Sequence, residues 1–230
     1  NVELSNNTTA GDVTATGTLD ENGELVGGTA TITDSIVGSV DAEGDVTASG
    51  ATINGTVDGA NVELSNNTTA GDVTATGTLD ENGELVGGTV SITNSAAGSV
   101  TANSDVTLEG AETNTVTSTT GNVTATGSTI VGDVMADTVT TNGAEISGSV
   151  TADTMATITG STVGANVTVN GEDGEAIITG STVSGDVTVS ACADEVRVTT
   201  VSGSQFISCD AGKVETDTVS GKVHIEGACD

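Results

Sequence analysis

Residues 132–163 read GDVMADTVTTNGAEIS and then GSVTADTMATITGSTV. The second half restates the first after about sixteen residues: a Gly, a small polar residue, Val, one residue and Ala, then a second alternating apolar patch, then a small-residue corner closing on Ile or Val. A repeat longer than a hairpin strand and far shorter than a domain is the signature of a solenoid coil, which buries its apolar face only by stacking on its neighbours.

Outward from this stretch the pattern covers most of the chain. Coils open at Gly11, Gly38, Gly55, Gly71, Gly98, near Thr115, and at Gly132, Gly148, Gly164, Gly185 and Gly203. Most run about sixteen to eighteen residues, on the consensus G-[DS]-V-T-A, a short break, V-T-[AI]-T-G, then S-T-[IV]. Three short strands and three corners per coil predict an all-β, single-domain β-solenoid (β-helix) of about a dozen coils. Alternation sets Val13, Ala15, Val187 and Val189 inward and Thr14 and Thr188 outward. The corner glycines suit positions of positive φ or close backbone approach.

Two coils carry the insertion TLDENGELVG, at 18–27 and 78–87. Asn22–Gly23 and Asn82–Gly83 are the residues that a two-residue hairpin turn prefers, so each insertion reads as a hairpin arm. A shorter insertion, NGEDG, lies at 170–174, and residues 1–29 and 61–89 are identical. Identity at outward as well as inward positions exceeds what packing requires and points to duplication with a repeated lateral contact.

The 230 residues include 32 Gly, one Phe and no Trp, Tyr or Pro. Without aromatics the core must be thin and filled by Val, Ala, Ile and Thr methyl groups. Mean hydropathy is +0.06, and β-branched residues abound, which argues against disorder. Asp and Glu number 33 against three basic residues, Arg197, Lys213 and Lys222. Phosphate recognition needs clustered Lys and Arg, so no nucleic acid is expected as a partner, nor docking on an anionic membrane. No apolar run is long enough for a membrane span. Repulsion between coils favours salt or divalent cations around the protein.

The run 128–153, STIVGDVMADTVTTNGAEISGSVTAD, resembles the coil pattern of bactofilins, polymerising β-helical proteins, through G-[DS]-V-x-A recurring once per coil. The resemblance implies a polymerising β-helix. The chain departs from bactofilins in its acidity, its arms and its clustered Cys. In composition it is similar to the disulfide-locked tubular sheath proteins of filamentous methanogenic archaea.

Candidate chemistry is sparse, and no enzyme is expected. The only imidazole is His224. No nucleophile elbow is present, and no stacked Asp ring with Lys or Arg lines the coils. Asp20, Asn22 and Glu24, repeated as Asp80, Asn82 and Glu84, place oxygens at alternate positions around a Gly, so calcium is the candidate cofactor there, although the late bidentate Glu of a calcium loop is missing. The alternative is a hairpin turn with a solvated acidic tip. Asn6, Asn7, Asn54, Asn66, Asn67, Asn122 and Asn166 stand in N-x-[ST] glycosylation sequons. Outward TAT at 14–16 and 74–76 suggests an ice-binding face, but the same column continues through Asp41 and Asp58.

Cys192, Cys209 and Cys229 fall at nearly the same place on three successive coils of the C-terminal part, 191–230, read as a cap or junction following the repeat region 1–190. Coil spacing of about 4.8 Å suits a disulfide, Cys192–Cys209 or Cys209–Cys229, in an oxidising exterior. The odd thiol is then expected to link chains, giving oligomers on a non-reducing gel. The partial coils 1–10 and 221–230 complement each other, which suggests head-to-tail self-association.

The sequence therefore predicts an extracellular or cell-surface structural protein that self-associates into a fibre, sheath or surface layer. The alternative is an ice-binding or adhesin-type solenoid.

Overall fold

The backbone amides of each coil are satisfied by the coils beside it. Val13 N–H donates to Ser39 C=O at 2.8 Å, Val40 N–H to Thr56 C=O at 2.9 Å and Val57 N–H to Asp72 C=O at 2.9 Å. Such bonding between successive turns makes every named strand contact between coils parallel. The computed structural model describes residues 1–21, 24–80, 82–171 and 174–189 in full, and beyond them the backbone of Val196–Val201, Gln205–Ser208, Val214–Val219 and Val223–Glu226. The described residues are all-β, with no helix among them. No helix there is long and apolar enough to cross a membrane. The chain is a β-solenoid that separates into two compact units, Asn1–Thr120 and Gly121–Asp230.

In the first unit, one column of strands runs Val13–Ala15, Val40–Ala42, Val57–Gly59, Val73–Ala75, Val100–Ala102 and Val116–Ser118. Val stacks on Val and Ala on Ala, as in Val73↔Val100 and Ala75↔Ala102. A second column runs Val2–Leu4, Ala30–Thr33, Val46–Ser49, Val62–Ser65, Val90–Thr93 and Val106–Glu109. The third is short: Ile36–Val37 and Thr52–Ile53 pair as strands, with single bridges at Thr9, Thr69, Ala96 and Glu112. The second unit repeats the plan. Its columns pass through Val134, Val150, Val167 and Val187, through Val139, Ala156 and Ala176, and through Ile130, Ile146, Val163 and Val183. The later strands keep the same pairing, with Val187↔Gln205, Val196↔Val214 and Gln205↔Val223.

The core is a narrow interior filled as composition requires. Ile32, Leu64, Ile92 and Leu108 stack in one column, and Ile146, Val163 and Val183 in another, all at most 1% exposed. Two details depart from the simple consensus. Val134–Asn142 and Val150–Thr159 run from the first column into the second without a break. They shift register between Ala136 and Thr138, where Asp153 and Thr154 oppose the single residue Asp137. That is a bulge, and it turns the corner without ending the strand.

The glycines divide into two kinds. At most corners that open a coil, closeness decides, although a Cβ on Gly11 would meet nothing within 4 Å. A Cβ on Gly71 would stand 2.6 Å from the Gly55 carbonyl oxygen, and one on Gly98 would stand 3.1 Å from the Asp72 nitrogen. At the corner before the third column, conformation decides: Gly50, Gly110, Gly127, Gly143, Gly160 and Gly180 have φ of 56° to 63°. Asp34, Asn94 and the pairs Asn6–Asn7 and Asn66–Asn67 take the same left-handed conformation, at φ of 46° to 62°. An added Cβ on Gly143 meets nothing within 4 Å, so Gly143→Ala tests conformation alone. It should cost about 1–2 kcal/mol in urea unfolding, and Gly143→Asn less.

Beside this corner, hydroxyls line the interior. Ser35, Ser95, Ser128, Ser161 and Ser181 are buried, and each donates to the carbonyl two residues back at 2.8–3.1 Å. Several also accept an amide from the adjacent coil, as Ser95 does from Thr68 N–H at 3.1 Å and Ser161 from Ala144 N–H at 3.1 Å. Among the described residues Thr113 is the exception: its buried hydroxyl has no partner there. An unpaired buried hydroxyl is destabilising, so Thr113→Val should raise stability by about 1 kcal/mol, read as a higher urea midpoint.

Candidate functional site

The two insertions form hairpin arms, but the second does not close through a two-residue Asn82–Gly83 turn. Leu79 pairs with Leu85 and Asp80 N–H donates to Glu84 C=O at 2.9 Å, which leaves residues 81–83 in the loop. Asn22–Gly23 of the first lies outside the described residues. In the first, Gly17–Leu19 pairs antiparallel with Leu25–Gly27, with Thr18 opposite Val26 and Leu19 opposite Leu25. In the second, Thr78–Leu79 pairs with Leu85–Val86 in the same register. The duplicated sequence builds the same base at both. Thr29 N–H donates to Asn1 Oδ1 at 3.3 Å, and Thr89 N–H donates to Asn61 Oδ1 at 3.1 Å. Gly17 N–H donates to the Glu43 carboxylate of the next coil at 2.7 Å.

At the tips the acidic residues organise the turn. Asp20 Oδ1 accepts Glu24 N–H at 2.9 Å. Asp80 Oδ1 accepts N–H from Asn82 and Glu84, both at 2.8 Å, and Asp80 Oδ2 accepts Asn82 Nδ2–H at 3.2 Å. The Glu84 N–H bond, aided by those from Asn82, holds the Asp80 carboxyl below the usual carboxylate range. A carboxyl with a depressed folded-state pKa stabilises its turn above the ordinary carboxylate pKa and loses that contribution as pH falls through the depressed value. Acid titration followed by NMR should therefore shift the Glu84 amide resonance on protonation of Asp80, at lower pH than an Asp in a peptide titrates.

Of the candidate calcium ligands, Asp20 and Asp80 thus serve as turn caps, with Glu24 and Glu84 exposed beside them and Asn22 outside the described residues. Among the described residues, no group of three or more Asp, Glu, His or Cys is disposed to hold a metal ion.

What the arms present outward is apolar. Leu19 is 70% exposed and Leu79 61%, and Val26, Leu85 and Val86 are also about half exposed or more. Most other Val, Ile and Leu among the described residues are buried; Ile36 and Val131 are also exposed, and Val2, Leu4, Leu25 and Ile177 are half-buried. Both arms leave the same corner, between the first and second columns, three coils apart, a separation of about 14 Å at one strand spacing per coil. Between them lies a notch of about 300 Å³, lined by Leu25, Gly27, Thr29, Gly44, Asp45, Ala60, Asn61 and Thr78. A larger depression of about 350 Å³, around Asn67, Thr68, Asn94, Ser95 and Glu112, is polar, and its lining contains neither a thiol nor an imidazole.

The seven sequon asparagines are all exposed. Several already hold structural posts. Asn6, Asn7, Asn66 and Asn67 occupy the left-handed corner, where Asn is the side chain best tolerated after Gly. Asn54 Nδ2–H donates to Val37 C=O at 3.1 Å, and Asn166 Oδ1 accepts Asp186 N–H at 2.8 Å. That last contact belongs to a series the sequence does not announce: Asp12, Asp72 and Asp133 accept the N–H of Ser39, Ser99 and Ser149 at 2.7–2.9 Å. At these three corners the residue after the Gly is therefore a rivet to the next coil, and Asn166 does the same one position later. Cys192, Cys209 and Cys229 lie outside the described residues, as does the side chain of His224.

The outward TAT column at 14–16 behaves as its sequence suggests. Thr14 faces Asp41, Asp41 pairs with Asp58, and Asp58 with Thr74, so carboxylates interrupt the hydroxyls. No known protein family, curated protein or solved structure matches the chain.

Proposed function

We propose that this β-solenoid is an extracellular or cell-surface structural protein that self-associates into a fibre, sheath or surface layer. The observation that carries the reading is the pair of identical hairpin arms that hold Leu19, Val26, Leu79, Leu85 and Val86 in solvent. Exposed apolar side chains gathered on projecting elements mark a contact with another molecule. A two-stranded arm also has two unpaired edges, each a template for further strand pairing. Because the arms repeat at a fixed interval, one chain offers two equivalent contacts, as a repeating assembly requires. The G-[DS]-V-x-A coil, which resembles that of the polymerising bactofilins, supports the same reading.

Charge sets the conditions. With a formal charge of −30, copies repel one another until salt or divalent cations screen them. Sedimentation velocity of the purified chain should show large species growing with protein concentration, and more of them when sodium chloride or calcium chloride is added. A single monomeric boundary at all concentrations and both salts would contradict the proposal.

A further inference from the structure

Uncharged outward stripes one residue wide occur at Thr74–Thr101–Thr117 and at Thr151–Thr168–Thr188. One sheet face of the second unit carries two such columns side by side. Its rows are Asn122–Thr126, residues 138–142 and residues 155–159, with Glu175–Thr179 as a fourth row. The first three rows hold no charged residue, in a chain with 33 carboxylates. Strand register aligns the outward side chains into two columns. One is Thr124–Thr140–Thr157–Ile177, and the other is Thr126–Asn142–Thr159–Thr179. Behind them Val123, Ala125, Val139, Thr141, Ala156 and Ile158 are buried, so the face is backed by packed core. The register shift at Asp137 lies before the first residue of the array and leaves the columns straight.

We propose that this face binds ice. Parallel-strand geometry sets the hydroxyls about 4.8 Å apart along a column and about 6.6 Å apart along a row. The column repeat is close to the spacing of equivalent water oxygens along the a axis of hexagonal ice. Each Thr offers a hydroxyl to the lattice and a methyl group that excludes disordered water, and its β-branched side chain loses little freedom on binding. Some hydroxyls elsewhere are engaged internally, as Thr68 with Ser65 C=O and Thr154 with Asp137 C=O. Those of Thr124, Thr126, Thr140, Thr157 and Thr159 are not taken up within the described residues.

Charge and area narrow the occupant. An anionic partner is repelled by the whole chain, and a cationic one is drawn to the carboxylates rather than to the uncharged face. The array covers on the order of 200 Å², whereas a stable protein contact needs about 800 Å² from each partner. A second copy is therefore poorly served by it. A neutral, flat, periodic lattice satisfies every site at once. The corresponding sheet of the first unit runs Glu3–Thr31–Thr47–Glu63–Ser91–Thr107, with two carboxylates in the column, and provides the control.

The test is partition into slowly grown ice, with sedimentation read on the same samples. The full chain should concentrate in the ice fraction. Thr124→Glu with Thr157→Glu, separated by the intervening Thr140 row so that the new charges do not stack directly, should leave the protein in the liquid while its β-sheet circular dichroism is unchanged. Thr31→Glu, which keeps Thr47 between the new charge and Glu63, should partition as the unaltered chain does. If the first pair disturbs the fold, Thr159→Asp alone is read in its place, with the same loss expected. Exclusion of the unaltered chain from ice would overturn the proposal, and so would retention by the Thr124/Thr157 pair or equal loss in the control. A Thr124/Thr157 pair that changed sedimentation instead of ice partition would identify the face as a contact between copies, and the ice proposal would fail.

Discussion

Leu19→Asp combined with Leu79→Asp is expected to leave the chain monomeric under conditions where the unaltered protein assembles. Neither side chain supports the fold. Both are more than half exposed, on arms whose strands pair only with each other. Each loses the roughly 1.5–3 kcal/mol available from burying a Leu, and each adds a charge that must be desolvated at any contact. Two arms per chain multiply that loss at every junction of a repeating assembly. Light scattering at high salt should fall to the monomer value while circular dichroism stays unchanged. Assembly of undiminished size would place the contact elsewhere on the surface.

Ile92→Ala should be the most damaging of the conservative truncations in the first unit. Ile92 is fully buried between Leu64 and Leu108, in a column where each residue stacks on its neighbours in strict register. The flanking backbones are held by inter-coil hydrogen bonds, so they cannot collapse into the space left. Such truncations cost about 2–5 kcal/mol, and this one should fall in the upper half of that range. Ser91→Ala, one residue away on the outward side, should change stability by less than about 0.5 kcal/mol. The pair is read as urea midpoints. Equal effects would mean that inward and outward had been assigned wrongly.

The coil was legible because its cause is periodic. Inter-coil bonding forces Val onto Val and Ala onto Ala, so the sequence must repeat wherever the backbone does, and Val73, Val100 and Val116 carry that repeat on their face. The arms were legible through Asn82–Gly83, since the turn chemistry is local. Other features depend on which corner a residue reaches. Asn66 and Asn67 read as glycosylation sequons, yet their left-handed φ of 56° and 62° gives them the work that Gly110 does elsewhere. Asp72 reads as one more surface acid, while its Oδ1 fixes the Ser99 amide of the next coil.

The uncharged Thr face is hidden in the sequence for a similar reason. The TAT motif points to the column of Thr14, which runs into Asp41 and Asp58. The regular array lies on a different sheet. Its Thr140↔Thr157 alignment follows only after the extra residue at Asp153–Thr154 is absorbed in a bulge. A sixteen-residue step counted along the sequence slips by one there, and a slip of one exchanges inward for outward.

Electron microscopy of the purified chain at high salt tests the structural role most directly. Long fibres or extended sheets are expected for the unaltered protein, and dispersed single particles for the Leu19→Asp, Leu79→Asp chain. A field of dispersed particles from the unaltered protein, at every salt and protein concentration, would contradict it.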